Sequence, residues 1–367
     1  MNAIGLYIHI PFCDQKCPYC DFFSISDENE YDRYTDNLIK IIDDYSSKYK
    51  RDIATIYFGG GTPSILKADR LAMILNTVKN KFHVLDDAEI TLEVNPCSSK
   101  DLDFFKLRQA GFNRVSIGLQ SALDSELKTL GRRHSSSDAK ETVNSAQNAG
   151  IDNISLDLMI CVPGQTKSSL TKSIEFCKDC NVTHVSSYIL KFEKNTPFYK
   201  RKNELDVFSD DEQAKLYLHT VNELESHGYY QYEISNFSKE GFEGKHNLKY
   251  WRDEEYLGLG PSAHSYIDGK RFYYNRDIND FYSNIIVFDD NGGDIYEYIM
   301  LALRLKEGLN LKSLFNRYNY TVSESFLKRV NKLVDEGLVT FNNETVSLTK
   351  EGFLVSNMII NYLNNEI

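Results

Sequence analysis

The sequence lacks any hydrophobic run long enough to cross a membrane, and it contains a single tryptophan, Trp251. Its longest apolar stretches fall short of the roughly 18 residues that a membrane-spanning helix needs. Nothing in the first residues resembles a targeting segment. We therefore expect a cytoplasmic protein whose thiols stay reduced.

Basic residues are fewer than acidic residues. The chain has 42 basic and 53 acidic residues among 367, which gives a net charge of -11. This balance argues against a broad surface that binds nucleic-acid phosphates, so we expect no nucleic-acid partner. The length allows one large domain and one small domain, and 41% hydrophobic residues are ordinary for a globular chain.

Three of the 7 cysteines lie within eight residues: Cys13, Cys17 and Cys20, at C-x3-C-x2-C spacing after an apolar run. The odd number of cysteines and the long chain argue against a disulfide framework. Three thiolates are one ligand short of a closed four-ligand site, which favours a 4Fe-4S cluster with one open iron. Zinc held by these cysteines and a distant histidine fits the local spacing as well.

Short β-branched runs alternate with longer amphipathic runs over the first 235 residues. This alternation predicts six βα units and a parallel sheet. The predicted strands are 4–10, 55–58, 89–94, 114–118, 153–159 and 184–190. The predicted helices are 30–48, 67–81, 99–110, 136–149, 167–180 and 210–227.

Polar or glycine-rich residues follow each predicted strand. Open sheets and barrels both satisfy the βα pattern, but functional residues that gather at strand ends favour a partial, six-stranded barrel. The Gly59-Gly60-Gly61-Thr62 turn lets backbone amides approach a ligand, although a tight structural turn explains it equally well. The side chains expected to form a polar cofactor cradle are Glu93, Gln120, Arg132 and Asp157.

The second segment, residues 236–290, looks like a loop-rich connecting region. It holds two histidines and the single tryptophan among several tyrosines, a composition suited to a flat aromatic ligand or to iron. We expect His246 to be the iron ligand in preference to His264. The Cys177-x-x-Cys180 pair resembles a redox motif, but its place late in a predicted helix makes a coincidence the better explanation.

The last segment, residues 291–367, predicts a small winged-helix-like α+β domain. Three helices over 295–305, 311–318 and 322–336 precede a hairpin with an Asn342-Asn343 turn and a closing helix from Lys350. Basic and acidic residues balance along the third of these helices. We therefore expect this domain to face protein, not DNA.

Several of these motifs together resemble the radical S-adenosylmethionine (SAM) superfamily, and more narrowly its branch related to oxygen-independent coproporphyrinogen III oxidase. They are Tyr7 to Phe12, the three cysteines, Gly59 to Ser64, Gly118 to Ser121, and His246 to Trp251. The resemblance implies an α/β fold with a partial (β/α)6 TIM-like barrel of the radical SAM type. It also implies a 4Fe-4S cluster on Cys13, Cys17 and Cys20, with SAM on the open iron.

The resemblance further implies roles for the residues at the strand ends. Positions matching Tyr7, Tyr19, Gly60 and Glu93 contact SAM in that family. Positions matching Gly61, Thr62, Gln120, Arg132 and Asp157 contact a second SAM in the oxidase. Reduction of such a cluster cleaves SAM to a 5′-deoxyadenosyl radical, chemistry that the cofactor supplies.

One departure separates the subfamilies. The oxidase carries a further cysteine two residues after the third, whereas this chain has Phe22 there. That difference, with the His-Asn-x-x-Tyr-Trp block, is typical of HemW-type proteins. The resemblance implies a heme chaperone that passes heme to membrane proteins or cytochromes. It also implies that His246 contacts heme and that the protein associates with the membrane through its partner proteins. Oxidation of coproporphyrinogen III is the alternative function, and a metal-sensing regulator is disfavoured by the acidic charge. The sequence leaves dimerisation open.

Overall fold

Six parallel strands form the centre of the protein in a computed structural model that describes residues 3–342 and 344–366. They are β1 (Ile4–Ile10), β2 (Asp52–Gly60), β3 (His83–Val94), β4 (Arg114–Gln120), β5 (Asn153–Ile160) and β6 (His184–Ile189). Each strand pairs in parallel with the next strand along the chain. This order confirms the predicted series of βα units.

Helices connect these strands. They are α1 (Glu30–Lys48), α2 (Lys67–Lys81), α3 (Phe104–Ala110), α4 (Asp124–Thr129), α5 (Ser136–Asn148), α6 (Lys167–Asp179), α7 (Pro197–Lys200) and α8 (Asp210–Ser226). Ser135, Thr166 and Ser209 begin α5, α6 and α8 with capping boxes. α3 begins later than predicted because a 3-10 turn occupies Pro96–Ser98 and Asp103 caps the helix.

The sheet continues beyond the six parallel strands. The added elements are β7 (Tyr230–Gln231), β8 (Asn236–Ser238), α9 (Lys245–Trp251), β9 (Tyr256–Leu259), β10 (His264–Ile267), β11 (Lys270–Tyr274), α10 (Ile278–Tyr282) and β12 (Ile286–Asn291). The strand order is β12-β11-β10-β9-β1-β2-β3-β4-β5-β6-β8-β7.

This order corrects the predicted loop-rich region 236–290. β9 pairs in parallel with β1, and β10 to β12 extend that side of the sheet in antiparallel fashion. The predicted boundary at 235 falls inside the β7/β8 hairpin, so it does not separate two structural units. Strands this short carry too few residues for their alternation to stand out in the sequence.

The two faces of the sheet differ in chemistry. On β1, Ile4, Leu6, Ile8 and Ile10 are fully buried, while Tyr7 points to the opposite face. β3 repeats this pattern, with Leu92 buried between Thr91 and Glu93. We call the face that bears Tyr7, Tyr57 and Glu93 the polar face. The aliphatic face belongs to the main hydrophobic core, which leaves the polar face for ligands.

The C-terminal region forms a smaller unit with its own sheet. It contains α11 (Ile295–Ala302), β13 (Leu309–Asn310), α12 (Leu311–Tyr318), α13 (Glu324–Asp335), β14 (Val339–Asn342), β15 (Thr345–Leu348), α14 (Lys350–Leu354) and α15 (Ser356–Asn364). Its three strands pair in the order β13-β15-β14. Helices and hairpin agree with the predicted winged-helix-like pattern, except that the closing helix is two helices and Asn343 lies outside the described residues.

This unit is tied to the sheet through buried polar groups. The Arg317 guanidinium donates to the backbone oxygen and carboxylate of Asp253, whose side chain is fully buried. The backbone amide of Lys306 donates to the Tyr232 oxygen at 2.9 Å. None of the described helices is both long and apolar enough to cross a membrane.

Candidate functional site

The three cysteines of the motif lie on one loop directly after β1. The Cys13 amide donates to the Ile25 oxygen at 3.0 Å, and the Cys20 amide donates to the Cys17 oxygen at 3.0 Å, so the loop is folded back on itself. All three thiols are half-buried and free. The loop therefore presents three sulfur ligands at the carboxyl-terminal edge of the sheet.

Polar side chains that follow β2 and α4 lie next to these sulfurs. The Cys13 Sγ lies 3.3 Å from Thr62 Oγ1, and Arg132 Nη1 lies 3.4 Å from Cys17 Sγ. Burial raises the pKa of the Cys13 and Cys20 thiols. A metal would remove that penalty, because thiolates, not thiols, are the ligands.

The number and type of the donors can be compared with what a cluster needs. Within the described ranges, no three His, Cys, Asp or Glu side chains are grouped closely enough to hold one metal ion. In an iron-sulfur cluster each thiolate binds a different iron, so the sulfurs stand further apart. Three half-buried, free thiols on one loop are a donor set that fits the predicted 4Fe-4S cluster.

The glycine turn after β2 lies against this loop. The Gly61 amide donates to the Ile10 oxygen at 2.9 Å, and the Thr62 amide donates to the Phe12 oxygen at 2.7 Å. A Cβ at Gly61 would lie 2.6 Å from the Phe12 oxygen, so any larger residue would push the cysteine loop away. The turn therefore fixes the cysteine loop against the sheet, a role that the sequence did not reveal.

Glu93, near the end of β3, is held in place on the polar face. It accepts hydrogen bonds from the Tyr57 hydroxyl at 2.8 Å and from the Gly60 amide at 3.2 Å. Burial raises the pKa of Glu93 to about 7. Tyr7 lies beside this group, with its ring 6.2 Å from the Tyr57 ring. A cationic ligand bound here would favour the ionised carboxylate.

Asp157 supplies a second carboxylate on the same face. Ser116 Oγ donates to it at 3.0 Å, and burial raises the pKa of Asp157 to about 6. Two carboxylates with raised pKa values on one face fit a ligand that carries positive charge, as the ammonium and sulfonium groups of SAM do.

Arg132 connects the cysteine loop to β4. Besides its contact with Cys17, its Nη2 donates to the Gly118 oxygen at 3.0 Å. Gln120, at the end of β4, has a positive φ of 68°. Its amide lies near Gly118, so Gln120 and Arg132 are close to each other. Tyr19 of the cysteine loop lies near Arg132 and Cys17, and its ring is 6.1 Å from the Phe198 ring.

His246, the predicted iron ligand, is a buried residue beside Tyr7 and Tyr57. Its ring is buried: Nδ1 lies 2.8 Å from Thr55 Oγ1 and Nε2 lies 2.7 Å from the Tyr250 hydroxyl. Burial lowers the pKa of His246 to about 3. Two hydroxyl groups engage the ring nitrogens in this structure, and the Tyr7 and Tyr57 rings lie 6.5 Å and 5.3 Å from the imidazole. The role of His246 as an iron ligand stays a prediction.

Glu89 is a buried residue of the polar face that the sequence analysis did not single out. Its carboxylate accepts from the backbone amides of Lys245 and His246, each at 3.0 Å, and so caps α9. Its Oε2 lies 4.0 Å from Arg114 Nε, and both side chains are buried. In the sequence, Glu89 is marked only as an acidic residue of β3, four positions before Glu93.

The remaining motif residues lie elsewhere. Trp251 lines a cavity of about 510 Å³ together with Tyr298 and Arg317, away from the cysteine loop. Cys177 is fully buried in the hydrophobic core and Cys180 is buried at the end of α6. This burial agrees with the expectation that the C-x-x-C spacing is a coincidence.

The comparisons with known proteins decide the family. The model of the radical SAM superfamily matches residues 7–177, and the model of the HemN C-terminal domain matches residues 294–355. A protein of Bacillus subtilis (strain 168) named heme chaperone HemW is 33% identical, with 98% of this chain and 99% of that protein covered. This chain belongs to the HemW family.

Other HemW proteins give the same result. The one from Escherichia coli (strain K12) is 38% identical over 72% of this chain and 70% of its own length. The one from Lactococcus lactis is 31% identical, with 96% of this chain and 95% of that protein covered. Together these matches confirm the resemblance to HemW proteins that Phe22 and the His-Asn-x-x-Tyr-Trp block indicate.

A solved structure shares the HemW fold seen here. The coproporphyrinogen III oxidase (HemN) from Escherichia coli superposes with a TM-score of 0.84, covering 100% of this chain and 91% of that chain at 20% identity. The likeness at this identity concerns the fold. It confirms the predicted α/β radical SAM architecture with an added C-terminal domain.

Proposed function

We propose that this protein is a heme chaperone, which binds heme and transfers it to other proteins. The observation that carries the proposal is the match along nearly the whole chain to relatives named heme chaperones. Phe22 supports it, because the oxidase branch has a further cysteine at that position. The Phe22 side chain is 68% exposed at the edge of the cysteine loop.

We infer that the protein carries a 4Fe-4S cluster on Cys13, Cys17 and Cys20, with SAM beside it. When bound and reduced, such a cluster supplies the electron that cleaves SAM. The chain's own residues hold the ligands. The half-buried thiols would bind iron, and the carboxylates of Glu93 and Asp157 would balance positive charge on SAM.

The proposed SAM contacts follow the strand ends. Tyr7, Tyr19, Gly60 and Glu93 would contact the first SAM. A second SAM, if bound, would meet Gly61, Thr62, Gln120, Arg132 and Asp157. Arg132 is already within 3.4 Å of Cys17 Sγ, which supports a role for its guanidinium beside the cluster thiolates.

The proposed acceptors are membrane proteins or cytochromes that need heme. The protein would reach them from the cytoplasm, by binding the acceptor at the membrane surface. Its acidic net charge of -11 does not favour direct binding to anionic lipid.

Anaerobic assays distinguish this function from coproporphyrinogen oxidation. The cluster is reconstituted, and the protein is offered either heme or coproporphyrinogen III with SAM and a reductant. We expect a Soret band from stably bound heme and no decarboxylated product. Formation of protoporphyrinogen IX at a catalytic rate, or a failure to take up heme, would overturn the proposal.

A further inference from the structure

Strand β12 forms one outer edge of the main sheet. The strand order runs from β12 to β7, so within the described residues each of these two strands pairs on one side only. β7 has two residues, which is too short an edge for another strand to pair with. β12 has six residues, five of them exposed, and it pairs with β11. The backbone groups along its other side are therefore free to pair with an added strand.

Two side chains of β12 continue the aliphatic face of the sheet. Ile286 pairs with Tyr274 and Phe288 pairs with Phe272, and residues paired across strands share a face. Tyr274 and Phe272 belong to the main hydrophobic core. Their partners are not covered: Ile286 is 41% exposed and Phe288 is 58% exposed. An added strand could pack its own apolar side chains against these two.

Acidic residues follow the apolar residues on the same strand. Asp289 and Asp290 are both exposed, and within the described chain neither carboxylate forms an ion pair. Arg271 on the neighbouring strand β11 pairs instead with Glu297 at 2.6 Å. Opposite charges that face each other across two strands stabilise their pairing. The acidic end of β12 therefore favours a strand that carries lysine or arginine.

A second copy of this chain does not match this edge. Pairing of β12 with the same strand of another copy would bring the Asp289 and Asp290 carboxylates of both copies close together. Like charges on facing strands destabilise their pairing. The net charge of -11 adds repulsion between whole molecules.

Membrane proteins carry segments of the opposite charge on their cytoplasmic side. Their short cytoplasmic loops have an excess of lysine and arginine. The proposed heme acceptors include proteins of this class. An extended loop segment with alternating apolar and basic residues would place apolar side chains on Ile286 and Phe288, and basic side chains opposite Asp289 and Asp290.

The start of β12 lies at the same end of the sheet as the cysteine loop. β11 ends at Tyr274, which pairs with Ile286 at the start of β12. Arg276, two residues after Tyr274, donates to the backbone oxygen of Asp21 and lies 3.3 Å from its carboxylate. Phe22, the next residue of the cysteine loop, is exposed. A segment paired with β12 would therefore extend toward the proposed cluster site.

We propose that β12 is the docking site for a basic, extended cytoplasmic segment of the membrane protein that receives heme. The inference rests on the proposed heme-chaperone function and names the surface to which the acceptor binds. The segment adds one strand to the sheet. Its apolar side chains pack on Ile286 and Phe288, and its basic side chains face Asp289 and Asp290.

Binding of a model peptide to the full-length, cluster-reconstituted protein tests this docking site. The probe is a short fluorescein-labelled peptide of alternating valine and lysine, followed by fluorescence anisotropy. Asp289→Lys combined with Asp290→Lys, and separately Phe288→Ser, should each weaken its binding by about tenfold or more. Hydrogen exchange read by mass spectrometry should slow in β12 when the peptide binds, because an added strand takes up the free backbone groups.

Two control variants carry the same kinds of substitution elsewhere on the main sheet. Asp86→Lys combined with Asp87→Lys reverses another exposed pair of aspartates, on β3, and changes the net charge by the same amount. Tyr230→Ser removes a ring that is 61% exposed on β7, at the opposite edge. Both controls should bind the peptide as the wild type does. A peptide with glutamate in place of lysine should not bind the wild type.

Heme uptake, measured from the Soret band of the same preparations, separates this inference from the proposed function. Heme uptake by the wild type without peptide binding, or with equal peptide binding by the β12 variants, would overturn the docking site alone. Slowed exchange outside β12 would also overturn it. A wild-type dimer that Phe288→Ser converts to monomers would overturn it in favour of a second copy. Absence of heme uptake by the wild type would overturn the heme-chaperone function itself.

Discussion

Individual side chains on the polar face differ in how freely they can meet a ligand. The cysteines of the loop are half-buried and carry no disulfide, so they are accessible to iron. His246 is as rich in hydrogen bonds as a core residue, whereas His264 has none at its ring. The thiols are therefore open to a ligand, whereas the ring nitrogens of His246 are engaged by hydroxyl groups.

Residue type and spacing alone could predict the cysteine site but not the hydrogen-bond partners of His246. Cys13, Cys17 and Cys20 are close in sequence, so their shared loop follows from the chain itself. The partners of His246 come from β2 and α9, Thr55 being 191 residues away in sequence. No local pattern shows that such a distant hydroxyl engages the ring.

The cysteines give a direct prediction at this scale. Cys17→Ala should abolish the visible absorption of the reconstituted cluster, because it removes one of three iron ligands. Cys177→Ala should leave the absorption intact, because Cys177 lies in the hydrophobic core. Absorption spectra and iron content of the two variants, prepared side by side, check this. Loss of the cluster in Cys177→Ala with retention in Cys17→Ala would contradict the assignment.

At the scale of elements, α9 packs beside the polar face. Its His246 and Lys249 are buried, and the His246 ring stacks on Tyr57 of β2. Its amino terminus has Gly244 at the cap position, which offers no side chain to accept hydrogen bonds. The carboxylate of Glu89 on β3 supplies that function from a distant part of the chain.

Removal of this carboxylate should destabilise the protein. Glu89→Ala leaves two amides without an acceptor and removes the carboxylate that forms the ion pair with the buried Arg114. We expect a loss of about 3–5 kcal/mol in the free energy of unfolding. Urea denaturation measures it. Asp87→Ala is the matched control, because Asp87 also faces Lys245 but is exposed, and it should cost less than about 1 kcal/mol. Equal effects of the two substitutions would contradict the buried-cap account.

The elements also show where prediction from sequence succeeds. α2 begins and ends at the predicted residues, since its apolar positions repeat at helical spacing and its first turn follows the Gly59 to Ser64 segment. β9 to β12 were missed because each has only four to six residues. The pairing of β9 with β1 depends on a contact about 250 residues apart, which periodicity does not report.

On the scale of the whole molecule, the proposed cluster site lies on one continuous 12-stranded sheet. The six βα units supply the cysteine loop, the glycine turn and the carboxylates, and β9 to β12 extend the sheet on the side of β1. The C-terminal unit packs beside this extension through Arg317 and Asp253.

The transfer of heme to an acceptor tests the central claim most directly. The cluster-reconstituted protein is loaded with one heme, separated from free heme, and mixed with the apo form of a membrane cytochrome. We predict that the Soret spectrum changes to that of the holo-cytochrome while the donor loses its heme. Heme that stays on the donor, with a cytochrome that can still be filled by free heme, would contradict the account.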